Sequence, residues 1–106
     1  MSEHWIDVCK LNDLIPDTGA CALINNEQVA LFRMNNVDQL FAVSNFDPVG
    51  RANVMSRGLV GSLGENLVVT SPLYKQHFNL ATGLCIEEPQ YRLKTYPVRE
   101  VGGQVQ

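Results

Sequence analysis

Long apolar runs are missing from this 106-residue chain, and none approaches the ~20 residues that a membrane-spanning helix needs. Basic runs are missing as well. The eight Lys and Arg residues are scattered, and eleven Asp and Glu leave a net charge of −3, so neither nucleic acid nor a membrane surface is an expected partner. Cysteine is scarce: Cys9, Cys21 and Cys85 are odd in number and widely spaced. That excludes a secreted disulfide framework and suits buried thiols in a reducing compartment. Met1 to Asp7 has no basic stretch followed by an apolar core, so no secretory signal is expected and the expected location is cytoplasmic. Long helical periodicity is also absent.

The chain does contain short, β-rich apolar runs punctuated by Gly, Asn, Asp and Pro, which predicts an all-β fold in a single domain, 1–106. Trp5 to Lys10 reads as a weak strand and Leu11 to Gly19 as a loop or one short turn. Ala20–Ile24 and Gln28–Phe32 flank Asn25-Asn26-Glu27, a hairpin signature because Asn tolerates positive φ. Gln39–Ser44 is apolar on both faces and predicts a central strand. Further hairpins are expected around Gly64-Glu65-Asn66, Ala81-Thr82-Gly83 and Gly102-Gly103. The stretch from Leu93 to Glu100 changes phase, predicting a bulge near Thr95 and, from Pro97, an edge. Gly58, Gly61 and Gly64 recur every third residue, but no βαβ unit surrounds them, so they read as hairpin glycines. The architecture expected is an antiparallel sandwich of two or three small sheets with two projecting loops.

Those two loops carry the informative pattern. The first reads Ala42-Val43-Ser44-Asn45-Phe46-Asp47-Pro48-Val49. The second runs from Val69 through Ser71-Pro72-Leu73-Tyr74 and on to Phe78-Asn79-Leu80-Ala81-Thr82-Gly83. Strand, loop with X-Pro, hairpin, loop with X-Pro, strand and Thr-Gly turn: this order resembles a Rieske domain, whose loops read C-P-H and C-P-x-H. Both prolines and the Thr-Gly turn match. The four ligand positions do not, because Asp47, Val49, Ser71 and Tyr74 stand where the family has Cys, His, Cys and His. A Rieske centre needs two thiolates and two imidazoles. Val49 has no donor atom, and a Ser hydroxyl or a Tyr phenol is a poor substitute for a thiolate or an imidazole.

With Ser56-Arg57-Gly58-Leu59-Val60 between the loops and Gly83-Leu84-Cys85 after the turn, the chain resembles the small subunits of cytoplasmic NAD(P)H-dependent nitrite reductases, over nearly its whole length. The resemblance implies an accessory subunit of an enzyme that reduces nitrite to ammonia. It implies no catalytic residue and no cofactor in this chain. The partner implied is a large subunit carrying FAD, sirohaem and an iron–sulfur cluster. The alternative is a cluster-free interaction module with a different partner.

Five residues in or beside the loops are candidates for docking that partner: Phe46, Arg51, Arg57, Lys75 and His77. The competing reading is a set of solvated loop charges. Val49 and Tyr74 are expected to fill the space of the absent cluster, since a void costs stability; Phe46 is open between anchoring and filling. Two other constellations carry less. The cysteines with His4 and His77 lack zinc-site spacing. Ser71, His77 and Asp47 form a hydrolytic triad only if geometry unites them, and there is no nucleophile-elbow motif.

Overall fold

A computed structural model describes residues 5–34, 39–64 and 66–106. Among these residues twelve strands are formed: β1 Cys9–Lys10, β2 Gly19–Ile24, β3 Glu27–Met34, β4 Gln39–Ser44, β5 Phe46–Asp47, β6 Ala52–Asn53, β7 Leu59–Leu63, β8 Asn66–Thr70, β9 His77–Asn79, β10 Thr95–Tyr96, β11 Glu100–Val101 and β12 Gln104–Val105. Single 3-10 turns occupy Leu11–Asp13 and Met55–Arg57. Among the described residues there is no helix long and apolar enough to cross a membrane.

The strands form four antiparallel sheets, ordered β10-β4-β3-β2, β7-β8-β9, β1-β12-β11 and β5-β6. The all-β expectation holds, with the strands divided more finely than two or three sheets. The β2–β3 hairpin closes on Asn25 and Asn26 at φ 50° and 66°, the paired positive dihedrals of a tight two-residue turn. Glu27 belongs to the strand. Gly102 and Gly103, at φ 59° and 86°, do the same between β11 and β12.

β4 is central, between β3 and β10. Its alternation feeds two cores. Val43, with Phe41 beside it, joins Phe32, Met55, Val69, Phe78, Leu80 and Leu93 on one face. Ala42 and Leu40 join Val29, Leu31, Leu14 and Val105 on the other. Burying a side chain such as Phe32 is worth roughly 2–3 kcal/mol.

Three expectations need correction. Trp5 to Lys10 is a strand only at Cys9–Lys10. Leu84 and Cys85 make only single bridges, to Arg92 and Phe78, so the third hairpin is irregular. The phase change after Leu93 is a change of sheet: β10 pairs with β4, and β11 pairs with β12. Pro97 lies between them, where its missing N–H costs no ladder bond. The edge expectation stands, because β10 is the outer strand of its sheet.

Candidate functional site

The two predicted loops meet. Asp47, at the end of β5, and Ser71, just after β8, are both buried, with 0% and 1% exposure. The Ser71 hydroxyl donates to Asp47 Oδ2. Asp47 Oδ1 accepts the backbone N–H of Val49 at 2.8 Å and of Gly50 at 3.1 Å. Ser71 Oγ accepts the N–H of Leu73 at 3.3 Å. Each side chain thus folds its own loop and bonds to the other.

Backbone hydrogen bonds close each loop. Arg51 N–H reaches Asp47 O at 2.7 Å, Ser71 N–H reaches Gln76 O at 2.9 Å, and Lys75 N–H reaches Ser71 O at 3.2 Å. Arg51 and Lys75 adopt φ of 59° and 62°, a conformation that costs side chains other than Gly and Asn. Their cationic side chains are exposed. The loops also pack: a Cβ added to Gly50 would sit 2.3 Å from Leu73 Cδ1, so the second loop lies directly on the first. Asn45, 3% exposed, anchors the base. Its Nδ2 donates to Gln28 Oε1 at 2.9 Å, and its Oδ1 accepts from Ser56 N–H at 2.7 Å.

These positions do not fit a [2Fe–2S] cluster. The two that would supply thiolates are spent on each other, and Val49 is half-buried against the core. Tyr74 corrects the filling expectation: it is 66% exposed and fills nothing. Phe46 is 42% and Leu73 44% exposed. The tip therefore presents Phe46, Leu73 and Tyr74 with Arg51 and Lys75.

Two docking candidates lie apart from this arrangement. His77 Nδ1 lies 2.5 Å from Glu87 Oε2, and the His77 backbone N–H donates to Glu87 Oε1 at 2.9 Å. Burial pushes Glu87 up, but these bonds outweigh it and hold the carboxyl below its ordinary value. His77 is thus held by Glu87, while Asp47 is held by Ser71, and the triad geometry does not form. Arg57 is exposed at the end of its 3-10 turn. Ser56 of that turn lies against the start of β2, where a Cβ on Gly19 would meet its carbonyl at 2.3 Å.

Cys85 is buried, and burial raises its thiol above the ordinary value, which suits a packing role. Cys21 is exposed, contrary to the buried-thiol expectation, because it points to the face of β2 opposite Ala20, Ala22 and Ile24, which pack against the second core. His4 lies outside the described residues. Among the described residues no cluster of His, Cys, Asp and Glu forms a metal site. Leu73 and Asn45 escaped the sequence reading. A leucine inside a loop or an asparagine after a strand carries no signal until the loop geometry is known.

The family described as a Rieske-like [2Fe-2S] domain matches residues 4–106. The nitrite reductase (NADH) small subunit of Escherichia coli K12 is 49% identical over 103 residues, covering 97% of this chain and 95% of that one. The chain belongs to the family of NADH-dependent nitrite reductase small subunits, within the Rieske-like domains. The solution structure of the nitrite reductase NAD(P)H small subunit from Erwinia carotovora superposes with a TM-score of 0.80 at 46% identity, over 95% of this chain and 78% of that one. A nitrite reductase NAD(P)H large subunit of Klebsiella oxytoca contains a matching segment, 36% identical over 104 residues. That segment spans 98% of this chain but 11% of the Klebsiella protein. A sequence similar to nearly all of this chain therefore also occurs within a large-subunit polypeptide.

Proposed function

We propose that this chain is the accessory, non-redox subunit of an NADH-dependent nitrite reductase that converts nitrite to ammonia, and that it acts by binding the large subunit through its loop tip. The observation that carries this reading is the buried Ser71–Asp47 bond. It joins the two loops at the positions where a Rieske centre would need its thiolates, so the chain keeps a rigid tip without a ligand set. A rigid loop pair with exposed aromatic and cationic residues suits recognition. Phe46, Leu73 and Tyr74 supply apolar area, and Arg51 and Lys75 steer toward an acidic patch. The Klebsiella match supports the choice of partner, since one polypeptide there carries both parts.

On this reading FAD, sirohaem and the iron–sulfur cluster belong to the large chain. We assign the complex to the cytoplasm, where NADH is available and free thiols such as Cys9, Cys21 and Cys85 persist.

The test is co-purification with the large subunit, with NADH-dependent nitrite reduction measured with and without this chain. The expected result is a stable complex, activity that depends on this chain, and an isolated subunit without visible absorbance. Absence of both association and rate effect would favour an interaction module with another partner. A visible charge-transfer band in the isolated chain would refute the non-redox reading.

A further inference from the structure

β7 is an edge strand without the usual protection. It pairs with β8 on one side and with no other strand among the described residues. Leu59-Val60-Gly61-Ser62-Leu63 contains neither charge nor proline. Leu59 is 77% exposed and Leu63 is 42% exposed, and both share a face with Gly61 because alternate strand residues point the same way. A Cβ added to Gly61 would meet nothing within 4 Å. Folded proteins usually blunt such edges with charge, proline or a bulge, because unpaired backbone groups template pairing with another strand.

The strand is complementary to itself. Antiparallel pairing about a two-fold axis through Gly61 sets Leu59 against Leu63 of a second copy, and Val60 against its Ser62. The backbone permits this register. Leu63 and Asn66 pair with two residues between them, which makes them the closing hydrogen-bonded pair of the hairpin. Alternation then turns the polar backbone groups of Leu59, Gly61 and Leu63 toward β8, and those of Val60 and Ser62 outward. Val60 and Ser62 are the residues this register joins by hydrogen bonds across the axis, roughly four in all. The leucines fall at the non-hydrogen-bonded pairs, where side chains approach most closely.

We infer that β7 is a self-association edge, at which two copies pair antiparallel about Gly61 and join their β7-β8-β9 sheets into one. A two-fold interface requires a patch that matches itself, and the near-palindromic strand supplies one. This inference does not rest on the tip reading, because β7 lies outside both loops. The contact is small, so the dimer is weak, in the micromolar-to-millimolar range of minor interfaces.

Sedimentation equilibrium of the full chain over a concentration series is expected to show a monomer–dimer equilibrium. Gly61→Glu and Gly61→Lys each place like charges face to face on the axis. Each should stay folded by circular dichroism, since the space is open, and weaken dimerisation by roughly tenfold or more. Mixed one to one they should regain association, because Glu then faces Lys. Leu59→Lys, at a solvent-facing side chain, gives the same weakening should a glycine variant melt early. A wild-type chain that stays monomeric up to roughly millimolar concentration overturns the inference. So does a dimer indifferent to these variants, or a mixture that fails to complement.

Discussion

Asp47 is a carboxylate with no solvent contact, and such a group is tolerated only when its acceptor oxygens are satisfied. Ser71 and two loop N–H groups satisfy them. Ser71→Ala removes a bond that crosses between the loops and should cost about 2 kcal/mol, the range for a hydrogen bond to a charged group. Urea denaturation reads this directly, and a loss under ~0.5 kcal/mol would mean the bond does not hold the tip. Glu87 makes a pH prediction. Its folded value lies below its ordinary one, so its contribution is present at neutral pH and is lost as pH falls through the folded value. Glu87→Gln should therefore flatten part of the acid limb of the stability profile. The effect is small, because the side chain is 42% exposed and water screens the pair. An unchanged acid limb would rule the pair out as a contributor. Tyr96 moves the other way. Burial first, then the hydrogen bond and charge of Glu27, push its phenol up to about 12. The Tyr96 Oη–Glu27 Oε2 distance is 2.7 Å. The phenolate absorbance missing from Tyr96→Phe should titrate near that value, and Glu27→Gln should lower it. A midpoint near 10 for Tyr96 would contradict the buried, bonded geometry.

The elements read from sequence were those whose cause is local. Asn25-Asn26 announces a two-residue turn because Asn accepts positive φ, and the strands form on either side as expected. Gln39–Ser44 announces a central strand because both of its faces are apolar, and the two cores explain why both must be. The stretch after Leu93 departs from the expected bulge because a change of sheet and a bulge produce the same shift of alternation, and only the pairing partners distinguish them. The Thr82-Gly83 turn is legible from pattern alone, and Asn79 supplies its physical cause. Asn79 Oδ1 accepts the N–H groups of Ala81 at 2.8 Å and Thr82 at 3.0 Å. Gly83 then turns at φ 81°, where a Cβ would lie 2.1 Å from the Leu93 carbonyl oxygen. Backbone cannot yield as a flexible side chain can, so Gly83→Ala should destabilise by more than ~2 kcal/mol, combining left-handed strain with overpacking. A thermal melt within a degree or two of the parent would show that the Leu93 segment moves freely, contrary to its buried side chain.

At the scale of the molecule, the two-faced sheet leaves one end to the loops, and the sequence could name that end but not its surface. Asp47, Pro48, Ser71 and Pro72 are neighbours in pattern, so their loops were legible. The seating of Leu73 over Gly50, the exposure of Tyr74 and the capture of His77 by Glu87 depend on how separate loops meet, which no local pattern encodes. What emerges is a chain of net charge −3 whose tip displays two exposed cations, Arg51 and Lys75, both at positive φ. That coincidence allows docking and folding to be separated. Asparagine tolerates this conformation better than Arg or Lys, so Arg51→Asn with Lys75→Asn removes both charges while relieving strain. The double variant should melt at or slightly above the parent temperature. If the tip docks on an acidic patch, its affinity for the large subunit should fall by roughly tenfold, mostly through slower association and with a weaker dependence on salt. Surface plasmon resonance at two ionic strengths measures each quantity. Unchanged affinity in a variant of undiminished stability would move the docking face away from the loops, and the Ser71–Asp47 bond would then serve only to close the end of the fold.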